Sequence, residues 1–177
     1  MYTKKISKID FMLDVNIKVN NINEGFNKYE YKTLEVDGKN KIDDIKNSEE
    51  KFIEFMKSAF ELNKENGMIV DFYTENLGEE ELKKLRSFLN EKEDKLLMDF
   101  LEEINYEGTY FKILKKEILE LFVKLSFREV FFSTFYMLDY KATVWGNYNN
   151  KFPIFYKDEN IIKKYKKIAN EMGIYIS

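Results

Sequence analysis

The run "VFFSTFYML" at 130–138 constrains the fold more than any other stretch of this sequence. Phe131, Ser133, Phe135 and Met137 alternate with Phe132, Thr134, Tyr136 and Leu138, so a strand here is apolar on both faces and must be covered on both. A sheet covered from two sides, with this strand at its centre, is therefore the expectation.

The remaining patterns fit an α+β protein with a mostly antiparallel sheet and about four to five helices. Ile9, Phe11, Leu13, Val15, Ile17 and Val19 alternate with Asp10, Met12, Asp14, Asn16 and Lys18, which predicts a long half-buried strand. With "KYEYKTLEV" at 28–36 it would form an N-terminal hairpin across the loop "NNINEG". After a loop at Asp37-Gly38, a helix is expected from a cap at Asn47 or Ser48, with its apolar stripe running from Phe52 to Phe60 and its end at Gly67.

A strand over 68–74 and one broken or two separate helices over 78–104 follow. Residues 109–125 read either as a short strand at "TYFKI" or as a helix through Leu114, Ile118, Leu121, Phe122 and Leu125. A hairpin is expected near 142–157, then a helix capped by Asp158 and ended by Gly173, and a closing strand at 174–176. With 177 residues, no repeat and no low-complexity linker, a single domain over 1–177 is the economical reading.

The absences bear on function. The chain has no His and no Cys, which excludes a Ser-His-Asp triad, a Cys nucleophile, a thiolate zinc site and a histidine base. No glycine-rich phosphate loop is present. Carboxylates, Lys, Tyr and hydroxyls remain, and no motif raises one of them to a catalytic role.

No cofactor or metal is expected. Asp10 and Asp14, four residues apart on the predicted strand, stand about 13 Å from one another at ~3.3 Å per residue, too far to share an ion. Asp43-Asp44 lacks the spaced ligands of a calcium loop. The acids Glu79, Glu80 and Glu81 complement a helix N-terminus, and Ser133 and Thr134 have no base beside them.

The charge pattern is uneven. Residues 1–108 hold 17 Lys+Arg against 25 Asp+Glu, a net of −8, while 109–177 carry a net of +5. If the halves segregate in space, the molecule is polarised toward a charged partner. The basic stripe of Lys157, Lys163, Lys164, Lys166 and Lys167 reads as a solvated helix face. With two Arg and a pI near 5.3, nucleic acid is not the expected partner.

No apolar run reaches the ~20 residues a membrane span needs, so no membrane partner and a cytoplasmic location are expected. The wealth of Lys, Asn, Ile, Phe and Tyr fits an AT-rich bacterial genome.

The one Trp and the one Pro fall in "ATVWGNYNNKFPIFYK" at 142–157, and hairpin register decides their use. A two-residue turn at Asn149-Asn150 sets Trp145 opposite Ile154, in the core. A three-residue loop sets it opposite Phe155, on a mixed outer surface with Asn147, Pro153 and Lys157. That outer cluster of Trp145, Asn147, Pro153, Phe155 and Lys157 is the candidate partner-binding site.

These features point to a non-enzymatic protein-binding module. Toxin-neutralising antidotes share the profile of a small acidic chain without His or Cys. The alternatives are an enzyme using carboxylate or Tyr/Lys chemistry on a sugar or phosphorylated substrate, and a small-molecule sensor.

Overall fold

The structure is a computed structural model that describes residues 1–35 and 42–177; Asp37-Gly38 and the side chains of Asp43 and Asp44 lie outside the described residues. Eight strands form one sheet: β1 (Thr3–Ile6), β2 (Glu30–Glu35), β3 (Met68–Asp71), β4 (Tyr110–Ile113), β5 (Thr134–Met137), β6 (Ala142–Trp145), β7 (Lys151–Tyr156) and β8 (Tyr175–Ile176). Their order is β1-β4-β3-β5-β6-β7-β2-β8. Every pairing is antiparallel.

Seven α-helices occur among the described residues, more than the four to five expected: α1 (Lys8–Asp14), α2 (Ile22–Lys28), α3 (Ile42–Leu62), α4 (Glu79–Arg86), α5 (Glu91–Glu103), α6 (Lys116–Phe127) and α7 (Glu159–Glu171). The architecture is α+β, as the patterns predicted. The 78–104 stretch divides into two helices because Asn90 caps α5 with a reciprocal capping box through Glu93. Both readings of 109–125 hold, each for its own half: β4 first, then α6. Helix α3 begins at Ile42, ahead of the predicted cap at Asn47 or Ser48.

β5 lies fourth of eight in the sheet and is buried along its whole length. On one face, Leu34, Val70, Phe111, Phe135, Val144, Phe152 and Ile154 meet α3, α5, α6 and α7 in the main core. Phe52 of α3 stacks on Phe152 with centroids 4.1 Å apart, and Phe100 packs edge-on against Phe72, Phe111 and Phe122.

The N-terminal hairpin does not form. Ser7 accepts the Asp10 N–H and starts α1 instead, and Asn21 does the same for α2 through Glu24. The alternation misled because Phe11 and Val15 also stand at helical i,i+4 spacing. Beyond Val15 the chain extends, and Val15, Ile17 and Val19 bury their side chains against the other face of the sheet. β2 pairs with β7 and β8.

The two charge halves interleave. Strands from 1–108 (β1, β2, β3) lie between or beside strands from 109–177, so the condition for a polarised molecule, segregation of the two halves, is not met within the sheet.

Candidate binding surface

The 142–157 hairpin takes neither predicted register. Val144 pairs with Ile154, Thr143 with Phe155 and Ala142 with Tyr156. At the tip, Asn149 and Asn150 have φ of 60° and 53°, and the Lys151 N–H reaches the Tyr148 carbonyl at 3.4 Å, a two-residue turn of type I′. Four steps from Val144 to Tyr148 face three from Ile154 to Lys151, so the first strand carries one extra residue. Gly146 lies within that excess, and its N–H turns to the Ser133 carbonyl at 3.1 Å. A Cβ at this position would stand 2.6 Å from that oxygen.

Pro153 fits the same irregularity. Thr33, its partner on β2, exchanges both backbone hydrogen bonds with Ser177, so on the β2 side no N–H of residue 153 is needed. The proline nitrogen therefore turns toward β6, where the ladder has ended at Val144. The interior strand thus carries its proline where the ladder to β6 has ended.

This register puts Trp145 on the face opposite the main core, with Thr143, Pro153 and Phe155. That face is not open. Thr143 Oγ1 donates to the Ile17 carbonyl at 2.6 Å, and Ile17, Val19 and Phe155 form a small buried cluster against which Trp145 rests half-buried. Gly25 of α2 lies against the Phe155 ring, where a Cβ would come within 2.6 Å of it.

Of the five candidates, Phe155 and Pro153 are thus buried and cannot touch a partner directly. Asn147 is half-buried and donates to the Lys151 carbonyl at 3.1 Å. Lys157 is exposed, its ammonium 5.3 Å from the Tyr29 ring centre. The structure brings Trp145, Pro153 and Phe155 together but beneath a cover.

That cover presents a different surface. Helix α1 buries one side chain, Phe11, at 2% exposure, while Ile9, Met12 and Leu13 are 73%, 51% and 75% exposed. Three large aliphatic side chains at i, i+3 and i+4 share one side of the helix. Lys8 is exposed on the same helix, and Lys4, also exposed, pairs with Lys112 on the covered face of the sheet. Ile9 and Leu13 are the residues that the alternation assigned to a buried strand face. The pattern Ser7-x-x-Asp10, a helix start, is the signal that contradicts that assignment.

Beneath α1 lies a carboxyl that the sequence reading passed over. Asp71 is 3% exposed; its Oδ1 accepts the Thr134 N–H at 2.5 Å and its Oδ2 the Tyr136 hydroxyl at 3.4 Å. Burial pushes its pKa up to about 7, against the pull of those donors. Tyr73, Tyr110 and Tyr136 beside it are raised as well, chiefly by burial and then by the Asp71 charge. The signal in sequence is one acid inside the apolar run "MIVDFY".

The helix side of the sheet directs its charge inward. Arg128 bonds Glu49 at 2.7 Å and Glu93 at 3.1 Å, Lys124 bridges Glu93 and Glu120, and Lys57 bridges Glu120 and Glu54. Burial opposes ionisation of Glu93, yet Arg128 and Lys124 outweigh it and hold its carboxyl below the usual range. These mutually paired ions brace α3, α5 and α6 against one another. Asp10 and Asp14 stand on α1 rather than on a strand, and Asp10 is bonded to Ser7 at 2.7 Å. Among the described residues no His/Cys/Asp/Glu cluster is arranged to hold a metal ion, and no helix is long and apolar enough to cross a membrane.

No protein-family model, curated protein or solved structure matches this chain.

Proposed function

We propose that the protein acts by binding another protein, and that the docking surface is the outward side of α1. The observation that carries this reading is the exposure of Ile9, Met12 and Leu13 on a helix whose opposite side is anchored by Phe11. Aliphatic anchors at i, i+3 and i+4 are what a partner's apolar groove receives. Binding of this kind occludes the partner without any chemistry by this chain, as an antidote-type inhibitor would.

The hairpin residues lie beside this surface rather than forming it. Trp145 and Phe155 hold the segment that leads from α1 into α2, and Lys157 stands over Tyr29 at the end of α2.

The test is affinity capture from the native cells with the wild-type chain, Leu13→Asp and Lys157→Glu as baits, followed by reconstitution with the purified partner. Loss of a stoichiometric protein partner with Leu13→Asp, with weaker loss for Lys157→Glu, supports the assignment. A partner that Leu13→Asp still binds with full affinity overturns it.

A further inference from the structure

A carboxylate deprived of water is stable only where enough donors replace that water. Asp71 accepts from the Thr134 N–H and the Tyr136 hydroxyl, and the Thr134 hydroxyl and its own N–H also act on it. From β4 it faces Tyr110 and from the segment after β3 Tyr73, with Glu75 acting on Tyr73 from further out. From α1 the Phe11 ring packs on Tyr110 and Tyr136, two of the residues that border the carboxyl, while Lys8, Asp10 and Asp14 of that helix are exposed. The donors around Asp71 favour its anion, and the loss of water on burial outweighs them in favour of the neutral acid.

Phe11 closes the place from above. It lies flat on Tyr110 with centroids 3.8 Å apart and an interplanar angle of 11°, and edge-on to Tyr136 at 4.9 Å. From below, the sheet is sealed by the main core, so water reaches the carboxyl from the cover side, where Phe11 and the half-buried Tyr73 and Tyr110 border it. Displacing α1 frees one buried ring, whereas entering through the sheet breaks ladders on both sides of β3.

We propose that Asp71 and the tyrosines around it form a proton-binding site coupled to the seating of α1: the neutral acid keeps the helix on the sheet, and ionisation loosens it. Coupling of this kind is reciprocal. Whatever loosens α1 must also weaken the hold of Asp71 on its proton. The chain has no histidine, the side chain that ordinarily titrates near neutral pH, so a carboxyl-carbon transition there is assignable to this site. Where the docking surface on α1 is the working one, and only on that reading, its presentation varies with pH between weakly acidic and weakly alkaline conditions.

The test uses the isolated full chain and needs no partner, so its outcome is separate from that of the capture experiment. Carboxyl carbons are titrated by NMR from pH 4 to 9 in wild type and Phe11→Ala. Amide exchange over residues 8–14, corrected for its intrinsic pH dependence, is followed in wild type and Asp71→Asn. The expected result is a wild-type Asp71 midpoint near neutrality that falls by a pH unit or more in Phe11→Ala. Protection over 8–14 should drop at least tenfold across that midpoint and become independent of pH in Asp71→Asn.

A midpoint in the ordinary carboxylate range, a midpoint unmoved by loss of the ring, or pH-independent protection in wild type overturns the proposal. If Phe11→Ala does not fold, Phe11→Leu replaces it with the same expected direction. If Asp71→Asn does not fold, the wild-type exchange profile decides.

Discussion

The two faces of the sheet are covered by unlike means. On one, α3, α5, α6 and α7 bury their apolar side chains against the sheet, and a chain of ion pairs running from Glu49 to Glu54 braces α3, α5 and α6. On the other, residues 7–29 lie as two seven-residue helices joined by an extended strap. Helices that short gain little from their own hydrogen bonds, so this layer depends on single anchors: Phe11, Ile17, Val19 and the close approach of Gly25 to Phe155. One face holds the fold together, and the other is where a modest energy can change what the molecule presents.

Truncating an anchor on each side should expose that difference most strongly. Phe52→Ala, which removes a fully buried ring from the helix side, should lower the stability measured by urea unfolding by about 4 kcal/mol. Phe11→Ala should cost only about 2 kcal/mol, because local release of the cover limits the loss. Equal costs would show that the cover is as integral as the core.

A smaller effect is expected at Gly25→Ala. The added methyl gains helix propensity but meets a fully buried ring at 2.6 Å, and the clash wins, for a net loss of about 1–2 kcal/mol in the same assay.

Asp71→Asn should give an effect whose size depends on pH. The pKa of Asp71 is raised in the folded state to about 7, from about 4 when unfolded. Between those values the folded protein holds the extra proton, so the wild type loses stability as pH rises through that window and levels off above it. The slope from this group is at most about 1.4 kcal/mol per pH unit. The stability of Asp71→Asn relative to wild type should therefore increase from pH 4 to pH 7 and then stay constant. A difference that is flat with pH would mean that Asp71 is ionised throughout.

Least of all should follow from Leu13→Ser, with a change within about 0.5 kcal/mol. A larger loss would show that the exposed side of α1 takes part in the fold.

The helix-covered face was largely legible in the sequence. Stripes such as Phe52, Phe55, Met56 and Ala59 repeat at 3.6 residues, and β5 declared its double burial through residues such as Phe135 and Tyr136. The thin face was not. Phe11 and Val15 satisfy the strand and the helix period together, and short-range periodicity cannot separate the two where an element is only seven residues long. The decision was local, made by the side chains of Ser7 and Asn21 as caps.

The hairpin shows a second limit. Asn149-Asn150 revealed its turn, but the extra residue near Gly146 lies where β6 continues its pairing with β5 after its ladder with β7 has ended, which no local pattern encodes. It corrected which strand positions oppose one another and thereby placed Trp145. Asp71 was hidden for a related reason: its environment is assembled from β3, β4, β5 and α1, which are distant in sequence.

The strand order also bears on how the chain is made. β1 pairs with β4, β3 with β4 and β5, and β2 with β7 and β8. During synthesis from the N-terminus, no pairing of the sheet can begin before β4, at Tyr110–Ile113, has left the ribosome. The first two strands and the strap between them must wait as unpaired chain for more than half the length of the protein. The segment 7–29 cannot be fully seated before Thr143 and Phe155 have been made, so it stays uncovered through most of translation.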